Sequence, residues 1–187
     1  MSVESRESRG FTLVEVLIVV AIIGVMAAIA IPNFLKYQLR AKVGEALINV
    51  RGLATAEEAF FTEHGYYVST TAPAPTLIPS GARLMWVGNA DFDELGWAPE
   101  GASYFQYLTS ADEQGLGRFT IEAAGDVDGD GTPSFFGYVK ASGPGGLDGR
   151  LAGSTCRGTG VFDPASGTKS LYGSPGPCDG VSGRQVF

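Results

Sequence analysis

The sequence predicts an α+β protein: a long N-terminal α-helix packed on a small antiparallel β-sheet head, with a glycine-rich C-terminal loop. Three observations carry this. Residues 16–35 form an uncharged run of twenty. After it, apolar residues recur every three or four positions, at Leu35, Leu39, Val43, Leu47, Val50, Ala54 and Phe60/Phe61; this is the period of a helix with one packed face. Beyond Gly65 the pattern changes again, to short aromatic and β-branched runs punctuated by glycine and proline, as in strands and turns.

Length and composition narrow the function. At 187 residues the chain is one domain with an appendage at most. Its net charge is −7 and its pI about 4.7, so it lacks the basic footprint that phosphate backbones need, and no nucleic-acid contact is expected. One histidine, His64, excludes a His-His metal site, and two cysteines are too few for a four-cysteine zinc site. Ser166 and Lys169 fit S-x-x-K, but the companion motifs of that acylase class are absent. His64 has no acid or nucleophile beside it in sequence and reads as a helix-end residue. No enzyme is expected.

The uncharged run decides the class. As a helix, twenty residues reach about 30 Å, the thickness of a bilayer's hydrocarbon core. A soluble core helix is disfavoured, because the run is apolar on every face until Pro32-Asn33. A cleaved signal peptide finds a small-residue pattern in Ala28-Ile29-Ala30, and would release a secreted binding module. Against it stands Glu15, at the border where such peptides carry positive charge. A retained membrane anchor is the third reading. Flanking charge does not orient it, since Arg6 and Arg9 lie on one side and Lys36, Arg40 and Lys42 on the other. Charge is uneven overall: residues 36–51 carry a local +3, whereas residues 52–187 carry −9.

Gly10-Phe11-Thr12-Leu13-Val14-Glu15, followed by the apolar run, resembles the start of a type IV prepilin. The resemblance implies a leader, 1–10, cut by a dedicated prepilin peptidase between Gly10 and Phe11, with Phe11 then N-methylated. Glu15 falls on the glutamate that such proteins carry five residues into the mature chain. Gly24 and Pro32 match the glycine and proline of the assembly helix, between which subunits lose helicity in the filament. The organisation implied is a transmembrane and assembly half-helix at 11–35, an amphipathic half at 36–64 and a globular β head at 65–187. The partners implied are further copies of the chain in a helical filament, the peptidase, the pilus assembly machinery and, before assembly, the inner membrane of a Gram-negative bacterium. The extracellular pilus is the destination. The motif is shared by major pilins, minor pilins and type II secretion pseudopilins, of which the major pilin is the first expectation. The phrase Leu95-Gly96-Trp97-Ala98-Pro99-Glu100-Gly101 resembles pilin heads of gliding or predatory delta-group bacteria.

Glu15 supports this reading on physical grounds. An ionised acid in a hydrocarbon segment costs a few kcal/mol and needs a partner. The amine created at Phe11 is four residues away, so it can pair within the chain. Alternatively Glu15 neutralises the Phe11 amine of a neighbour as helices pack; the resemblance favours this.

The helix is expected over 11–64, about 80 Å at 1.5 Å per residue. Gly44 and Gly52 weaken it, Pro32 kinks or opens it, and Gly65 stops it. Lys36, Arg40, Lys42, Glu45, Arg51, Glu57 and Glu58 take its polar faces. Strands are expected at 84–87, 104–109, 118–123 and 135–140, with a turn-rich connection at 93–101. The last two strands make a hairpin, whose turn reads Asp126-Val127-Asp128-Gly129-Asp130-Gly131-Thr132. This is the first half of a calcium loop, with acids at positions one, three and five and glycine at six. The acid at position twelve is missing, because Gly137 stands there. No cofactor is required; calcium, bound weakly at Asp126, Asp128 and Asp130 or with help from Glu122 or Asp148, competes with the reading of a solvated Asp/Gly turn. Disulfide loops near the C-terminus are common in pilins. If the head faces the periplasm, Cys156 and Cys178 are therefore expected to be oxidised rather than free.

Overall fold

The computed structural model describes residues 10–112, 117–140 and 146–182. The chain divides into two compact units, Met1–Gln38 and Leu39–Phe187. The leader expected at 1–10 lies outside the described residues except for Gly10.

The first unit is helical. Helix α1 is Leu13–His64, and it starts two residues later than the sequence pattern implies because Thr12 caps it. Its apolar stretch has a mean hydropathy of 2.9, and no residue there is buried. Pro32 was expected to kink or open the helix. The α-helix is continuous across it, so it is not opened there. Proline removes a single intrahelical donor, and the Asn33 side chain adds one, its Nδ2 donating to Ile29 O at 3.2 Å.

In the second unit, the rest of α1 buries Ala46, Val50, Leu53, Ala54, Glu57 and Phe60. These fall at spacings of three or four, as one helix face requires. Glu57 therefore belongs to the packed face and not, as its charge implied, to the polar one. The helix stops at Gly65, whose φ of 80° is the left-handed conformation glycine adopts without strain.

The remaining elements are β1 (Leu84–Met85), α2 (Ala90–Leu95), β2 (Ala102–Ser103), β3 (Gln106–Ala111), β4 (Phe119–Gly125), β5 (Ser134–Lys140), β6 (Val161–Asp163), β7 (Thr168–Leu171) and β8 (Gly176–Pro177). The main sheet has the order β3-β4-β5-β8, with every pair antiparallel. The expected hairpin is β4–β5, in register from Phe119↔Lys140 to Gly125↔Ser134. The connection expected at 93–101 overlaps a short helix instead. Asn89 caps α2 by accepting from the Asp91 and Phe92 amides, and Gly96 ends it at φ 67°. The cap lies just before the segment first read as turns, which is why the pattern was missed.

Alternation along the strands builds two cores. Tyr107, Phe119, Ile121, Ala123 and Phe136 join α1, Phe92 and Phe105 in the larger one. Leu108, Ala124 and Phe135 face a smaller one with Leu151, Cys156 and Cys178. β4 is consequently buried at every residue. Full burial of each such apolar side chain stabilises by about 1.5–3 kcal/mol.

Candidate functional site

The N-terminal segment has its own internal chemistry. Glu15 Oε2 accepts from the Thr12 amide at 2.9 Å and from Thr12 Oγ1 at 2.6 Å. Thr12 Oγ1 in turn accepts from the Glu15 amide at 3.3 Å, and the Val16 amide donates to Thr12 O. This is a capping box, in which a threonine and a glutamate three residues on satisfy each other's free amides. The T-x-x-E spacing is legible in the sequence, yet the role of Thr12 was not read from it. Glu15 thus stands at the helix start with a local partner in Thr12. Phe11, Gly24 and Pro32 are all exposed. A Cβ at Gly24 would meet nothing within 4 Å, so its small size answers no contact within the subunit.

The acidic turn is organised around Asp126. Its carboxylate accepts from Ser80 Oγ at 2.6 Å, from the Gly129 amide at 2.8 Å and from the Gly131 amide at 3.0 Å. Backbone bonds from Gly81 N to Asp126 O and from Asp126 N to Pro79 O tie the turn to residues 79–81. Lys42 Nζ reaches Val127 O at 3.2 Å from α1. Burial by itself raises the Asp126 pKa, but the bonds from Ser80, Gly131 and Gly129 hold it below the usual aspartate value. One ligand atom each from Asp126, Asp128 and Asp130 lie within 4.8 Å of one another, with Asp128 and Asp130 exposed.

The other acids considered for calcium are engaged elsewhere. Glu122 is buried in β4, where it accepts from the Arg150 amide, from the Leu151 amide at 3.0 Å and from Ser154 Oγ. Burial raises its pKa, against the lowering effect of Ser154 and the Leu151 and Arg150 amides. Asp148 accepts from the Gly158 amide at 2.8 Å and pairs with Arg157 at 3.4 Å. Position twelve of the loop, Gly137, lies in mid-β5. A Cβ there would sit 2.7 Å from Ile121 O, 2.9 Å from Cys178 Sγ and 3.0 Å from Cys156 Sγ.

Cys156 and Cys178 form the expected disulfide, with Cα atoms 4.5 Å apart. Both are buried beneath β5. The S-x-x-K pair does not meet: Ser166 Oγ contacts Thr168 Oγ1, while Lys169 Nζ donates to Thr155 O. His64 stacks on Phe60 with its Nδ1 3.2 Å from Phe60 O.

The exposed apolar helix and its capping box fall in the segment that known proteins share with this chain. The profile described as the prokaryotic N-terminal methylation motif matches residues 5–31. Relatives include type IV major pilin proteins and fimbrial proteins. The type IV major pilin protein PilA of Myxococcus xanthus is 43% identical over 105 residues, 56% of this chain and 38% of that protein. A fimbrial protein of Pseudomonas aeruginosa is 45% identical over 71 residues, 38% of this chain and 46% of its own. The type IV major pilin protein PilE of Neisseria gonorrhoeae is 41% identical over 79 residues, 42% of this chain and 47% of its own. The chain thus spans about half, or less, of the length of these relatives. No solved structure matches it.

Proposed function

We propose that the chain is a structural, non-enzymatic subunit of a type IV pilus. It would enter the inner membrane as a precursor, lose its leader between Gly10 and Phe11 to the prepilin peptidase, and pack through α1 into an extracellular filament. The observation that carries this is the methylation motif on a helix whose N-terminal apolar stretch is unburied among the described residues. Such a surface is stable only in lipid or against other helices. The names of the relatives favour a major pilin over a minor pilin or a pseudopilin. A motif that spans both sides of the Gly10–Phe11 bond also disfavours release after Ala30. Mass spectrometry of sheared surface filaments tests the reading: abundant subunits that begin at N-methylated Phe11 are expected, and a soluble product that begins at Ile31 would refute it.

The Asp126 turn adds a secondary proposal, weak calcium binding by Asp126, Asp128 and Asp130 with no closing acid. Titration calorimetry on the full chain in detergent decides it. Heat at millimolar calcium that Asp128→Ala abolishes is expected; no heat ends the proposal.

A further inference from the structure

Glu57 lies outside both the N-terminal segment and the acidic turn, and its setting is unusual. Its side chain is fully buried on the packed face of α1. Oε2 accepts from the Val68 amide at 3.0 Å, which draws the chain that follows α1 back against the helix. Among the described residues, Oε1 has no hydrogen-bond partner. The Thr109 hydroxyl lies beside the carboxyl. However, its proton is committed to Val68 O at 2.9 Å, so Thr109 offers Glu57 a lone pair and not a donor. A buried carboxylate with one bare oxygen is costly. A carboxylic acid suits the same place better, because a neutral carboxyl with one unpartnered oxygen costs less to bury than an anion, while Oε2 keeps the Val68 amide.

Among the described residues, no cation pairs with Glu57. From α1, Glu58 adds a like charge. From β5, Lys140 Nζ is held by Glu58 at 2.6 and 2.8 Å and by Tyr67 OH at 2.6 Å. From the C-terminal loop, the Arg150 guanidinium is taken up by Ser110 Oγ, Ser69 Oγ, Thr70 O and Thr109 O. Burial, the largest influence, accordingly pushes the Glu57 pKa up to about 7.

We propose that Glu57 is a proton-linked latch: protonated, it fastens Val68 to α1, and ionised, it favours opening of the segment after the helix. Once opened, the group returns to its ordinary value of 4.5. The folded state therefore holds a proton that the opened state releases. Below pH 4.5 the latch is fully closed. Opening then rises about tenfold per pH unit and levels off above pH 7, about 300-fold in all.

The test uses the full chain in detergent micelles, from pH 4 to 8. Carbon NMR of the Glu57 carboxyl is expected to titrate near 7, and protection of the Val68 amide from exchange is expected to fall about 300-fold over the window. In Glu57→Gln, whose amide is neutral at every pH, Val68 protection is expected to stay flat. A Glu57 titration near 4.5, or Val68 protection equally pH-dependent in Glu57→Gln, would overturn the proposal. Should that variant not fold, the titration of the unaltered chain decides alone.

Discussion

Thr12 and Glu15 hold each other: the hydroxyl and amide of the first both donate to one carboxylate oxygen of the second, at 2.6 and 2.9 Å. Before any neighbour arrives, the acid already has a partner at the helix start. Pairing with a neighbour's Phe11 amine must therefore compete with a local contact. Glu15→Ala is expected to leave membrane insertion intact and to abolish filaments, read by membrane fractionation beside shearing. Normal filament yield from that variant would remove the assembly role. Thr12→Val keeps the shape but removes the cap; the Glu15 amide should then exchange faster while the head's melting stays unchanged.

Glu122 gathers the Arg150 and Leu151 amides and the Ser154 hydroxyl onto β4. Glu122→Ala leaves these donors without their acceptor, at a cost of about 1–3 kcal/mol. For a chain of this size, a melting temperature lower by roughly 2–10 °C is expected in differential scanning calorimetry. Gly149→Ala should act at the same place, because a Cβ there meets the Glu122 carboxylate itself. The two losses should not add, since both variants break one contact. Full additivity would show that the loop is held by other means.

Asp126 and Asp128 differ although they are two residues apart in an acidic turn. Asp126 is buried and joins residues 79–81 to the hairpin, whereas Asp128 is exposed. Asp126→Ala is expected to lower the melting temperature by several degrees, and Asp128→Ala to leave it within a degree. The pKa of Asp126 is held below its ordinary 3.8. Its contribution is therefore present above that value and lost as pH falls through the lowered one. Thermal melts below pH 4 should show this acid loss in the unaltered chain and a shallower one in Asp126→Asn.

The long helix and the β4–β5 hairpin were legible because each rests on a repeated signal, a three-to-four spacing or a run of aromatic and β-branched residues. Glu57 was assigned to the wrong face because its type outweighed its position. It stands seven residues after Val50 and four after Leu53, squarely on the packed stripe. Sequence pattern prices a carboxyl as charged, and only the burial reveals a site suited to the neutral acid. The α2 helix is six residues long, too short for any periodicity to register. The acids first weighed for calcium, Glu122 and Asp148, are taken by backbone amides that are distant in sequence, and no local motif encodes such partners.

Gly137 sits under two obligations at once. It occupies the place where a tight calcium loop carries its closing acid, and it lies against both sulfurs of the Cys156–Cys178 bridge. Any side chain at this position would have to displace the bridge first. A closing acid here and a sulfur-sealed sheet are mutually exclusive, so a variant given one at Gly137 would be expected to forfeit the other.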